Sequence, residues 1–200
     1  KLEETSSRLA LIDILADLFK HVSKDELDKV MYLTQGRVAP FYAPVEFGMA
    51  DKTVATALAA TVGIARKEVL AQYATVGDLG LVAQELRGKG EGETLPAGRQ
   101  GGKLTVEEVF TRLTEIADTS GQGTVEKKTG LFADLVKQLD AVSVKHLVRI
   151  VLGKTRLGIG DPTILDALSL AVLGDRSKRK LLEKAYNETS DLGLIGKTLK

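Results

Sequence analysis

The 200-residue sequence has no cysteine and no tryptophan, two histidines, two methionines and only 4% aromatic residues. Without thiols there can be no disulfide, thiolate metal site or cysteine nucleophile, and His21 and His146 are isolated from one another, which speaks against an imidazole metal site. Long apolar runs are missing too. Mean hydropathy is +0.00, no stretch has the length and apolarity of a membrane span, and Lys1 with acidic residues close behind it does not read as a secretory signal. The expectation is an intracellular protein that does not engage a membrane. An excess of one charge is also lacking: 28 basic residues face 27 acidic ones, so affinity for a polyanion would have to come from local patches. There is no initiator methionine, which suggests a piece of a longer chain.

What is present is helical periodicity. Leu11, Ile12, Leu15, Leu18, Phe19 and Val22 recur at spacings of three and four, the stripe of a helix over Leu9 to Val22 with one buried face. Ser23 with Glu26 reads as a capping box that opens a second helix ending at Gly36. Pro40, Pro44 and Gly48 break the next segment, read as an ordered loop tied down by Phe41, Tyr42 and Phe47. Helices are then expected at 51–61, 65–74, 105–119, 129–140, 143–152, 162–173 and 177–186, with Asp161 as a cap before Pro162. No segment alternates as a strand, so the fold class is all-α.

Residues 87–103 contain six glycines and almost nothing apolar, the composition of a flexible insertion. On either side of it the sequence repeats. Arg66-Lys67, Tyr73 and Asp78-Leu79-Gly80-Leu81 return as Arg179-Lys180, Tyr186 and Asp191-Leu192-Gly193-Leu194. Phe47-Gly48-Met49-Ala50-Asp51 matches Leu157-Gly158-Ile159-Gly160-Asp161, Ala16-Asp17-Leu18 matches Ala133-Asp134-Leu135, and Ser23 with Leu27 is paired with Ser143 and Leu147. Two half-repeats, about 1–86 and 104–200, are therefore expected to be related by a pseudo-two-fold axis and to share a core.

Gly153-Lys154-Thr155 and Gly196-Lys197-Thr198 resemble the end of a phosphate-binding loop, but the glycine required five residues earlier is Val148 or Asp191, and no strand precedes either. No catalytic constellation and no metal-ligand cluster is visible. The informative segment is the connector from Gly153 to Gly160. Its glycines, Gly153, Gly158 and Gly160, let backbone amides approach a phosphate, while Lys154 and Arg156 supply cations and Thr155 a hydroxyl. Lys145, His146 and Arg149 precede it, and Gly36, Arg37 and Gly48 occupy the corresponding place in the first half. Helix–loop–helix turns of this type grip a DNA backbone without reading sequence. The competing reading is that the glycines cap helices and the cations are solvated. A further cluster, Arg176, Lys178, Arg179, Lys180 and Lys184, reads as a solvated helix face or a flank of a DNA site.

The strings Tyr32-Leu33-Thr34-Gln35-Gly36-Arg37-Val38-Ala39-Pro40, Gly77-Asp78-Leu79-Gly80-Leu81-Val82-Ala83, Leu152-Gly153-Lys154-Thr155-Arg156-Leu157-Gly158 and Asp161-Pro162-Thr163-Ile164-Leu165 resemble the N-terminal DNA-binding domain of ATP-dependent DNA ligases of the archaeal and eukaryotic type, which also occur in some bacteria. The resemblance spans residues 1–200 except the 87–103 insertion. It implies a helical domain that holds nicked duplex DNA across the minor groove for nick sealing in replication, repair and recombination. The implied contacts are Gly153, Lys154, Arg156 and Gly158, with Gly36, Arg37 and Gly48 in the first half. It also implies catalytic domains C-terminal to this stretch, with a sliding clamp as a candidate partner and a cytoplasmic location at the nucleoid if the source is prokaryotic. ATP and Mg2+ would serve the full-length ligase. The family's nucleophile is the lysine of a Lys-x-Asp-Gly motif, which this sequence lacks, so no cofactor and no chemistry are expected of this stretch alone. The alternative from a different class is an α-helical scaffold that binds a protein partner and no DNA.

Overall fold

The computed structural model describes residues 1–89 and 104–200. Among them every regular element is helical. The α-helices are α1 (Arg8–His21), α2 (Lys24–Thr34), α3 (Asp51–Val62), α4 (Arg66–Val76), α5 (Leu79–Lys89), α6 (Val106–Asp118), α7 (Thr124–Lys137), α8 (Ala141–Val151), α9 (Asp161–Leu173), α10 (Arg179–Thr189) and α11 (Leu192–Leu199), with short 3-10 turns at Leu2–Glu4 and Arg176–Lys178.

Two compact units form. The first comprises Lys1–Val45 and Arg156–Lys200, the second Glu46–Thr155. Each therefore draws elements from both half-repeats. In the first unit α1 packs on α9 and α2 on α11; in the second α7 packs on α3 and α8 on α5. Sequence equivalence pairs α1 with α7, α2 with α8 and α3–α5 with α9–α11, so both units repeat one arrangement: the opening helix pair of one half-repeat against the closing three helices of the other. The first unit's core joins Leu15, Phe19, Leu27 and Met31 to Ile164, Leu168, Leu192 and Ile195. In the second, Val54, Leu58, Leu79 and Val82 are buried on their helices, as are Phe132, Val136, Val144 and Val148. Burial of apolar area on this scale, at roughly 25 cal/mol per Å2, is what drives each unit to compact.

Several local expectations change. α5 and α11, absent from the expected helices, both form, each opened by an aspartate: Asp78 accepts from the amides of Gly80 and Leu81 at 2.8 and 3.3 Å, and Asp191 from Leu194 at 2.9 Å. Arg87, Gly88 and Lys89 belong to α5, not to an insertion, and Arg87 donates to the carbonyls of Leu139 and Lys137 at 3.0 and 3.1 Å. The rest of the expected flexible insertion, 90–103, lies outside the described residues. α7 starts at Thr124 rather than Thr129, running through Gly130. Ser23 bonds the Glu26 carboxylate and caps no amide, whereas Thr105 and Glu108 form the complete reciprocal box. The cap of α9 is Gly160, with Asp161 its first residue, and Ser23 corresponds to the α8 cap Asp140, not to Ser143. In the loop before α3, Val38, Phe47 and Met49 are each buried, while Phe41 and Tyr42 are 76% and 64% exposed and reach only the Arg37 guanidinium and, at 3.5 Å, the Asp191 carboxylate.

Candidate nucleic-acid interface

In the second unit, α8 ends in a Schellman turn: Gly153 takes φ +64°, its amide donates to Ile150 O at 2.9 Å, and the Lys154 amide donates to Arg149 O at 2.8 Å. Glycine is favoured there because that backbone region strains any residue with a Cβ. The turn leaves Gly153 and Lys154 exposed and Thr155 half-buried. Lys154 Nζ lies 3.3 and 3.5 Å from the carboxylate oxygens of Asp51, the first residue of α3. The bond to Asp51, together with Tyr73, holds the Lys154 pKa above the usual lysine value despite slight desolvation, so Lys154 is a cation at every physiological pH. Gly48, also left-handed at φ +61°, sits exposed three residues before Asp51; a Cβ there would meet Lys128 Nζ at 3.4 Å, a buried ammonium that donates to Phe47 O at 2.7 Å.

The first unit builds the same arrangement. Gly36 takes φ +77°, its amide donates to Leu33 O at 3.0 Å, and the Arg37 amide donates to Tyr32 O at 3.0 Å. Gly158 matches Gly48 with φ +67° and is exposed. Asp161 matches Asp51 as the first residue of α9, and Tyr186 matches Tyr73. Here the carboxylate accepts from Tyr186 Oη at 2.6 Å and Gln35 Nε2 at 2.9 Å. Burial and the bond to Asp161 push the Tyr186 phenol up to about 12, with Arg37 pulling the other way, so it remains a donor. Arg37 stacks over the Phe41 ring, 4.5 Å from its centroid. Gly160 is extended at φ −120° and needs no glycine for conformation. Arg156, by contrast, is exposed and left-handed at φ +55°, a strain of about 1–2 kcal/mol that sequence reasoning did not anticipate.

The predicted residues thus sort into two equivalent sets rather than one connector. Gly153, Lys154 and Thr155 stand with Gly48 in the second unit; Arg156, Gly158 and Gly160 stand with Gly36 and Arg37 in the first. The second unit's set offers Lys154, held by Asp51, and the first unit's set Arg37 and Arg156, in each case with two left-handed glycines and a helix N-terminus, groups suited to a phosphate oxygen. Asp51, Tyr73, Asp161 and Tyr186, which restrain the turns, were missed as site residues; the repeat of Asp51 and Tyr73 as Asp161 and Tyr186 was the available signal. Arg149 and Lys145 leave the basic group. Both are buried, and Arg149 bonds Asp78 Oδ2 from Nη2 at 2.7 Å and from Nε at 3.1 Å. His146 is half-buried on α8. Among the described residues no group of His, Asp and Glu is arranged to hold a metal, and no helix is long and apolar enough to cross a membrane.

Residues 1–169 match the family model described as DNA ligase N terminus. The chain is 46% identical over 198 residues to a protein named probable DNA ligase from Dictyoglomus thermophilum, covering 98% of this chain and 32% of that protein. It is 40% identical over 204 residues to the DNA ligase of Acidianus ambivalens, covering 100% of this chain and 34% of that protein, and 39% identical over 199 residues to a probable DNA ligase of Aquifex aeolicus. The chain belongs to the DNA ligase N-terminal family, and it spans about a third of the length of these curated relatives.

Proposed function

We propose that this chain grips nicked duplex DNA through its phosphate backbone, as the DNA-binding part of an ATP-dependent ligase whose adenylyl transfer is carried out by other segments of the protein. The observation that carries this reading is the doubled basic turn: Gly153-Lys154 with Gly48, and Gly36-Arg37 with Gly158, repeat the same hydrogen bonds and the same left-handed glycines in separate units. A duplex presents two antiparallel phosphate backbones, and a pair of equivalent anion grips suits that symmetry. Neither turn presents the Asn, Gln and Arg array with which a recognition helix reads base edges, so binding should be indifferent to sequence. The Lys-x-Asp-Gly motif is absent from the chain, and ATP and Mg2+ are accordingly assigned to the segments that carry it.

Anisotropy titrations of the chain with labelled nicked duplexes of unrelated sequence test this. Affinities should agree within a few fold and fall steeply with added salt. A strong preference for one sequence, or binding indifferent to salt, would overturn the reading in favour of a specific reader or a protein-binding scaffold.

A further inference from the structure

The two units differ where α1 packs on α9 and α7 on α3. In the first unit Asp166 on α9 lies between two cations, 3.0 Å from Arg8 Nη2 and 3.6 Å from Arg179 Nε, and Ile12 on α1 is buried. Asp13 on the same face pairs with Arg176. At the equivalent positions of the second unit Asp166 becomes Thr56, Arg8 becomes Val125, Ile12 becomes Thr129 and Asp13 becomes Gly130, while Arg179 is retained as Arg66. Nearly every exchange removes volume, and the result is an open cleft of about 520 Å3 lined by these residues with Lys52, Thr53 and Glu126. The retained arginine has lost its carboxylate. Among the described residues the side chains of Arg66 and Lys52 make no hydrogen bond or ion pair, and Glu126 reaches neither. The hydroxyls of Thr56 and Thr129 donate to the carbonyls of Lys52 and Val125 at 2.9 and 2.6 Å, leaving the two cations as the strong donors.

We infer that this cleft is a docking site for an acidic side chain of a protein partner, whose carboxylate takes the place that Asp166 fills in the first unit. The lining favours a peptide over a nucleic-acid backbone. Val125 offers apolar surface, 60% exposed, to a residue flanking the acid, and Glu126 at the rim repels a continuous run of phosphates. Arg66 at the start of α4 presents a planar fork matched to a carboxylate. The cleft shares no lining residue with the basic turns, but Lys52 directly follows Asp51, so a duplex is titrated against it as well.

The test uses the 200-residue chain labelled with 15N and titrated with the blocked peptide acetyl-Leu-Asp-Leu-Glu-amide and with its Asn/Gln counterpart. The acidic peptide should shift the amides of Thr53, Thr56, Arg66 and Val125, and bind at least about tenfold more tightly than the neutral one, the worth of one charge-assisted contact. Thr56→Asp supplies the carboxylate internally and should abolish the response; Arg66→Gln, at an exposed position, should weaken it about tenfold without touching the fold. Equal response to both peptides, or none to either, overturns the inference. So does a duplex titration that shifts the same amides and whose affinity drops in Arg66→Gln, since the cleft would then belong to the DNA.

Discussion

At the start of α5, Asp78 faces the buried guanidinium of Arg149, whereas at the equivalent start of α11 Asp191 faces the phenol of Tyr32, whose Oη donates to it at 2.7 Å. Both aspartates cap a helix, and two residues after each stands a glycine that admits the partner: a Cβ on Gly80 would lie 2.8 Å from the Lys145 carbonyl, and one on Gly193 would collide with the Tyr32 ring. The second unit has an ion pair at this junction and the first a neutral donor. Burial disfavours the charged Asp78, but Arg149 and the amides of Gly80 and Leu81 outweigh it and hold its carboxyl below the ordinary value of 3.8. The Tyr32 phenol moves upward, through burial and its bond to Asp191. One fold slot is thus closed by two chemistries, and they should fail under different conditions.

The comparison breaks most sharply at the ion pair. Arg149→Met strands a buried carboxylate and should cost about 3–5 kcal/mol in urea unfolding. The depressed Asp78 pKa means this stabilisation is complete above pH 3.8 and is lost as pH falls through the lowered value, so the gap between variant and parent should narrow in acid. Gly80→Ala forces a methyl group against a backbone carbonyl and should cost about 1–3 kcal/mol, more than Gly196→Ala, where the close atom is the flexible Met31 sulfur. Tyr32→Phe removes one hydrogen bond to a carboxylate and should cost about 1.5 kcal/mol at neutral pH. Because the Tyr32 pKa is raised, the parent should lose that advantage above pH 10. The smallest effect is a gain: α4 ends in left-handed Gly77 but α10 in left-handed Ser190, φ +52°, so Ser190→Gly should raise stability by about 0.5–1 kcal/mol in the same assay.

The sequence made the helical class and the repeat legible, since apolar spacing and strings such as Asp-Leu-Gly-Leu depend on local chemistry alone. α5 and α11 were not among the expected helices; each has a glycine, Gly80 or Gly193, in its first turn, where a helix is weakened, and forms behind an aspartate cap. The pairing of α1 with α9 and α7 with α3 was not legible: an apolar stripe states that a face is buried, not against which helix. Arg149 shows the same limit. It stands five residues before Lys154 and read as part of one basic group, until Asp78, distant in sequence, proved to be its partner. The glycine turns were found from composition, but their division between two units required the fold.

The central claim, that the two basic turns are equivalent grips on phosphate, is tested most directly by the salt dependence of duplex binding in Lys154→Ala, Arg37→Ala and the double variant, with melting curves to establish folding. Each single change should weaken binding to all sequences alike and flatten the slope of log affinity against log salt by about 0.9, and the double variant by about 1.8. A folded double variant that keeps the parent's affinity and slope would show that these turns only cap helices, and would contradict the account.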